Sequence, residues 1–87
     1  MYEVKLSTDA AEFLLSQTKK IKRQIGKKIK ALSEDPCPNG YTKLKAKENL
    51  YRIRSGDYRI IYQVQDKKVL VLVLRIAHRR EVYRNIK

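Results

Sequence analysis

Leu50-Tyr51-Arg52-Ile53-Arg54-Ser55-Gly56-Asp57-Tyr58-Arg59-Ile60-Ile61-Tyr62 reads as two short strands joined at Ser55-Gly56-Asp57. Arginines alternate with apolar residues along it. A period of two sends Tyr51 and Ile53 to one side of a sheet and Arg52 and Arg54 to the other. One face is thus fit for burial while the other presents guanidinium groups. Each guanidinium is a planar fork of donors that stays charged, and several on a rigid sheet suit the gripping of phosphates. Tyr51, Tyr58 and Tyr62 interleave with the arginines; their alternation with Ile60 favours core packing over base stacking.

Downstream, a turn at Gln65-Asp66-Lys67 leads to a third strand from Lys68 to Ile76. Its run Val69 to Leu74 has no polar face, so a central strand covered on both sides is expected. A second basic cluster follows, Arg75-Ile76-Ala77-His78-Arg79-Arg80, leading to Tyr83. Upstream, Tyr2 to Leu6 alternates as a first strand would. Ser7, Thr8 and Asp9 offer N-cap side chains for a first helix ending near Thr18. A second helix is expected from about Lys19 to Ser33, with Ile21, Ile25, Ile29 and Leu32 along one stripe and lysines over most of the rest. Gly26 suggests close packing there, and Pro36 and Pro38 stop the helix. Asn39 to Asn49 reads as a polar connection in which Lys43, Lys45 and Lys47 are candidate RNA-binding residues, as are Arg75 and Arg80. The order β-α-α-β-β-β implies an α+β fold: an N-terminal strand, a two-helix hairpin, then an antiparallel three-stranded meander.

The 87 residues fit a single domain spanning 1–87. Lysine and arginine number 21 against 9 acidic residues, a formal charge of +12. So strong a field points to nucleic acid, an acidic protein, or both as partners. A lone cysteine, Cys37, permits no intrachain disulfide. With no secretory signal and no apolar run long enough to span a bilayer, the expectation is a cytoplasmic protein without membrane contact. One histidine and one isolated cysteine do not make a usual zinc site, and no carboxylate cluster suggests magnesium. No metal or cofactor is expected.

The order of elements, the segment Leu50 to Tyr62 and the closing segment Arg75-Ile76-Ala77-His78-Arg79-Arg80-Glu81-Val82-Tyr83 together resemble the RelE toxins of the RelE/ParE toxin–antitoxin superfamily. The resemblance covers nearly the whole chain. It implies a ribosome-dependent endoribonuclease that cleaves messenger RNA in the A site without a metal, by attack of a ribose 2′-oxygen on the adjacent phosphate. It also implies a RelB-like antitoxin that wraps the toxin in a hetero-oligomeric complex. The family's catalytic positions match Arg52, Arg54, Arg59, Arg79 and Tyr83. Well-studied members carry lysine where this chain has Arg52 and Arg54. Arginine can clamp a phosphate but is a poor proton acceptor.

The reaction needs a base for the 2′-hydroxyl, positive charge on the phosphorane, and an acid for the 5′-oxygen. Arg52, Arg54, Arg59 and Arg79 are candidates for the charge, or for contacts to an acidic antitoxin. His78, whose side chain ordinarily titrates near neutrality, is either the base or a polar residue at a strand end. Tyr83 is a candidate for proton transfer or base stacking, or it packs the C-terminal segment. The lysine-rich helix is a solvated face, or one attracted to ribosomal RNA. Two rivals remain: a ParE-like inhibitor of DNA gyrase, and a catalytically weak ribosome- or RNA-binding module.

Overall fold

The Ser55–Tyr58 turn sets the geometry of the sheet. Strands β3 (Leu50–Ser55) and β4 (Tyr58–Gln65) pair antiparallel with Ser55 opposite Tyr58, leaving a two-residue loop of Gly56 and Asp57. Gly56 has φ +61°, the positive φ that a type II′ hairpin turn asks of its first loop residue. A Cβ at Gly56 would also meet the side-chain amide of Gln24, a flexible end that can swing aside, so the positive φ is what calls for glycine.

The structure, a computed structural model, describes residues 1–36, 41–44 and 49–78. Its remaining elements are β1 (Glu3–Leu6), α1 (Thr8–Leu15), α2 (Lys19–Glu34), β2 (Thr42–Lys43) and β5 (Leu70–His78), with a 3-10 turn at Asp66–Lys68. The five strands form one sheet in the order β1-β5-β4-β3-β2. The expected meander β3-β4-β5 is antiparallel, and β1 joins it parallel to β5, with Glu3 opposite Leu70. Both helices pack on one face, giving the two-layer α+β architecture that the element order implied.

Helix starts follow the local chemistry. Ser7 caps α1, its hydroxyl accepting from the Ala10 N–H, and also donates to the Leu74 carbonyl, tying the helix to β5. Thr18 caps α2 by accepting from the Ile21 N–H. A cap at Thr18 requires extended backbone there. The first helix accordingly ends at Leu15, short of the expected Thr18. On α2 the apolar stripe behaves as its spacing predicts: Ile25 and Leu32 are fully buried, and Ile21 and Ile29 pack beside them. They meet Ala10 of α1 and Ile53, Ile60, Tyr62, Val64, Val71, Val73 and Ile76 of the sheet in one core. The three strand tyrosines serve this core: Tyr62 is fully buried, and Tyr51 and Tyr58 pack against its margin.

Three expectations are corrected. The connection before β3 contains a strand, β2, too short and polar to show a period. The central strand is β4; β5 lies between β4 and β1, and its sides are unequal. Val71 and Val73 are buried beneath the helices, whereas Leu70, Leu72 and Leu74 are half-buried on the opposite face, because only one face carries helices. Gly26 makes no close approach, since a Cβ added there would meet nothing within 4 Å.

One position stores strain. Val69, which ends the 3-10 turn, has φ +51°, a left-handed conformation that disfavours β-branched side chains. It is 46% exposed, so little packing compensates. Replacing Val69 with asparagine is expected to raise stability by about 1 kcal/mol, measured by urea unfolding with an unchanged m-value. An unchanged or lower midpoint would show that the valine side chain contributes more than its backbone strain.

Candidate nucleic-acid interface

Cross-strand neighbours share a face of a sheet. The register sets Arg54 opposite Arg59 and Arg52 opposite Ile61, so Arg52, Arg54 and Arg59 all stand on the face away from the helices. Strand β2 pairs only with Tyr51 and Arg52, so among the described residues the outer edge of β3, away from β4, carries no strand from Ile53 to Ser55. A cleft of about 460 Å³ opens at this margin, lined by Lys28, Thr42, Arg52, Ile53, Arg54, Gly56 and Arg59. Four of those seven residues are cationic and none is acidic.

Burial grades the three arginines. Arg54 is exposed, Arg52 is half-buried, and Arg59 is only 9% exposed. The Nη1 of Arg59 is buried and makes no hydrogen bond among the described residues. Buried donors are ordinarily paired, and a buried cation beside other cations is costly. Arg59 thus carries an unmet demand for an anion at the cleft floor. Directly opposed like charges also destabilise a strand pair, and the Arg54–Arg59 pair is such a case. A phosphate bound between them would reverse both penalties.

The other candidate residues are placed differently. His78 stands opposite Tyr58, and its ring meets the Tyr58 ring edge-on at 5.7 Å between centroids. Tyr58 in turn packs edge-on against Phe13 of α1, at 5.9 Å. His78 therefore sits on the helix-facing side of the sheet, opposite to Arg52, Arg54 and Arg59. The alternation Ile76-Ala77-His78 carried that signal, since His78 shares parity with the core residue Ile76. Lys43 pairs with Tyr51 and so shares its face, not that of Arg52; its side chain is exposed. Arg75 lines a separate cleft with Asp9, Glu12 and Phe13, its Nε buried and without a hydrogen bond among the described residues. Lys45, Lys47, Arg79, Arg80 and Tyr83 lie outside the described residues. Lys28 is the residue that sequence reading missed. No spacing links it to the hairpin; only the packing of α2 beside β3 brings it to the cleft.

A family model described as "ParE toxin of type II toxin-antitoxin system, parDE" matches residues 4–83. A putative RelE-like toxin protein of Escherichia coli is 31% identical over 81 residues, covering 90% of this chain and 83% of the relative. The chain belongs to the RelE family of toxins, within the RelE/ParE superfamily. The mRNA interferase toxin RelE of Escherichia coli (strain K12) is 37% identical over 67 residues, or 72% of this chain and 70% of that toxin. The crystal structure of the archaeal RelE–RelB complex from Pyrococcus horikoshii OT3 contains a chain that superimposes with a TM-score of 0.80 at 31% identity, covering 90% of this chain and 94% of that one. The strand order and helix placement described above are thus those of a RelE toxin.

Proposed function

We propose that this RelE-family toxin is a metal-independent endoribonuclease that cuts messenger RNA in the ribosomal A site. The observation that carries the reading is the cleft at the β3 margin, where Arg52, Arg54, Arg59 and Lys28 converge, none of the described lining residues is acidic, and the Nη1 of Arg59 is buried without a hydrogen bond among the described residues. In the reaction a ribose 2′-oxygen attacks the neighbouring phosphorus, the bond to the 5′-oxygen breaks, and a 2′,3′-cyclic phosphate remains. Charge grows on the phosphorane oxygens, where preorganised cations are worth about 100- to 1,000-fold per donor removed. Arg59 supplies that charge from the cleft floor, with Arg52 and Arg54 as the clamp. Arg79 and Tyr83 join the site in this reading on the strength of the family pattern. Tyr83 moves the protons, because His78 is turned to the helices and the arginines make poor bases.

The same reading assigns a RelB-like antitoxin as partner, as in the Pyrococcus complex, and so a hetero-oligomer. An acidic partner would also relieve the self-repulsion of a chain at +12. The protein acts in the cytoplasm in this account; among the described residues no helix is long and apolar enough to cross a membrane.

Primer extension on a message translated in a purified system tests the reaction. Breaks inside A-site codons that vanish without ribosomes are expected. Intact message with normal translation would overturn the reading. The family model carries the ParE name, so a supercoiling assay on DNA gyrase is the companion measurement. Inhibition of gyrase with intact message would give the protein the other activity.

A further inference from the structure

A second cationic groove, of about 810 Å³, runs along α2 and ends at the same turn. Lys19, Lys20, Arg23, Lys27 and Lys28 line it, all with exposed side chains, and no acidic residue does. Two of its lining residues, Lys28 and Gly56, also line the arginine cleft, so the two depressions are continuous around the hairpin turn. The turn is held there by the helix: the Gln24 amide lies over Gly56, and the Ser55 hydroxyl is 3.5 Å from the Gln24 carbonyl.

The arrangement on the helix is regular. Lys19, Arg23 and Lys27 recur at intervals of four residues, which places successive cations about 6 Å apart along the axis. A parallel row runs through Lys20 and Gln24 to Lys28, which opens into the cleft. A single anion needs one or two of these groups. Five cations in two parallel rows suit an anion that repeats along a polymer, and a phosphodiester backbone is such a polymer. Like charges on adjacent turns weaken the helix by a few tenths of a kcal/mol per pair, so the row acts against folding.

We propose that the α2 groove is a track for the strand being cut. RNA whose scissile phosphate sits over Arg59 continues past Gly56 and lays its flanking phosphates along Lys28, Lys27, Arg23 and Lys19. This proposal rests on the cleft assignment above, and continuity of the two depressions selects the substrate strand over a separate structured RNA. The groove residues bind and do not react; they set affinity and the length of RNA engaged.

The test measures binding of 2′-O-methyl RNA, which offers no 2′-hydroxyl for attack. Oligonucleotides of about four and about twelve nucleotides are compared. The wild-type chain is expected to prefer the longer one, with a log–log salt slope steeper by about 2, which between about 50 and 200 mM salt amounts to a roughly fifteenfold greater loss. Replacing Lys19, Lys20, Arg23 and Lys27 together by glutamine should abolish the length preference while leaving the shorter oligonucleotide bound as before. A control variant with Lys5, Lys30, Lys67 and Lys68 changed to glutamine loses as much charge away from the groove and should keep the preference. Equal loss in both variants would replace the track by a diffuse field and overturn the proposal. So would a groove variant that keeps its preference for the longer strand, whether or not it then fails to bind ribosomes. In parallel, the variant with Arg52 and Arg54 changed to glutamine should lose the shorter oligonucleotide. If it does not, the cleft reading falls instead, and the two failures are distinguishable.

Discussion

Replacing Arg59 with methionine is expected to make the protein more stable and nearly inactive. The side chain is nine-tenths buried, its Nη1 makes no hydrogen bond among the described residues, and Arg54 opposes it across the strand pair. Methionine keeps an unbranched stem of similar reach and removes both the orphaned donor and the repulsion. A gain of about 1 kcal/mol follows, or about 4–8 °C in melting temperature for a domain of this size. Under the proposed reaction, cleavage should fall by at least about 100-fold, because that reading assigns Arg59 to the developing phosphorane charge. Arg59→Lys separates charge from geometry: it keeps the cation without the planar fork, and partial activity is expected. Thermal unfolding and primer extension on the same preparations decide the matter. A methionine variant that melts lower would mean that Arg59 supports the fold. Undiminished cleavage in a folded variant would remove Arg59 from the site.

The second large effect is structural. Tyr62 is fully buried in the middle strand and stacks on Tyr51 at 5.7 Å, which meets Tyr41 edge-on at 5.7 Å. Its hydroxyl donates to the Pro36 carbonyl at 2.7 Å, so one side chain joins the core, β3 and the segment after α2. Tyr62→Ala removes the ring and leaves a cavity, at about 3–5 kcal/mol. An 87-residue domain typically has about 4–13 kcal/mol of stability, and this one carries a large self-repulsion. A fall of at least about 12 °C in melting temperature is expected, with much of the population unfolded at 37 °C. Tyr62→Phe isolates the hydrogen bond and should lose only about 1 kcal/mol. If the two variants destabilise equally, the hydroxyl rather than the ring is what the site depends on. Circular dichroism melts of both distinguish the cases.

Much of this architecture could be read from residue order. The hairpin declared itself because Arg52 and Arg54 sit at positions that a period of two assigns to one face, and Ser55-Gly56-Asp57 supplies the turn; that Arg59 joins them on that face follows only from the two-residue loop and its register. The α2 stripe was equally plain, since steps of four and three leave little choice of buried face. Strand β2 was not legible: two polar residues have no period, and Thr42–Lys43 becomes a strand only because β3 presents an edge. The helix-free face of β5 was hidden for a different reason. Val69 to Leu74 is apolar at every position, so its period carries no direction, and tertiary packing alone distinguishes the buried valines from the half-buried leucines. The same limit applies to Lys28 in the cleft. Its place there is a property of how a helix crosses a sheet margin, and nothing local to α2 encodes it.

The parallel pairing of β1 with β5 has a consequence for how the chain acquires its shape during synthesis. Glu3 leaves the ribosome early, but its register partner Leu70 follows after both helices and the β3–β4 hairpin have been made. The helices can form locally and the hairpin can close on itself. Strand β1 cannot be paired, and Val71 and Val73 cannot seal the underside of the helices, until β5 has emerged. Closing so long a loop makes this the slow, late step of folding, completed after translation of the core has ended. A ribosome making this protein therefore carries an unfinished sheet for most of the message, and the finished toxin exists only once β5 is clear of the machinery that made it.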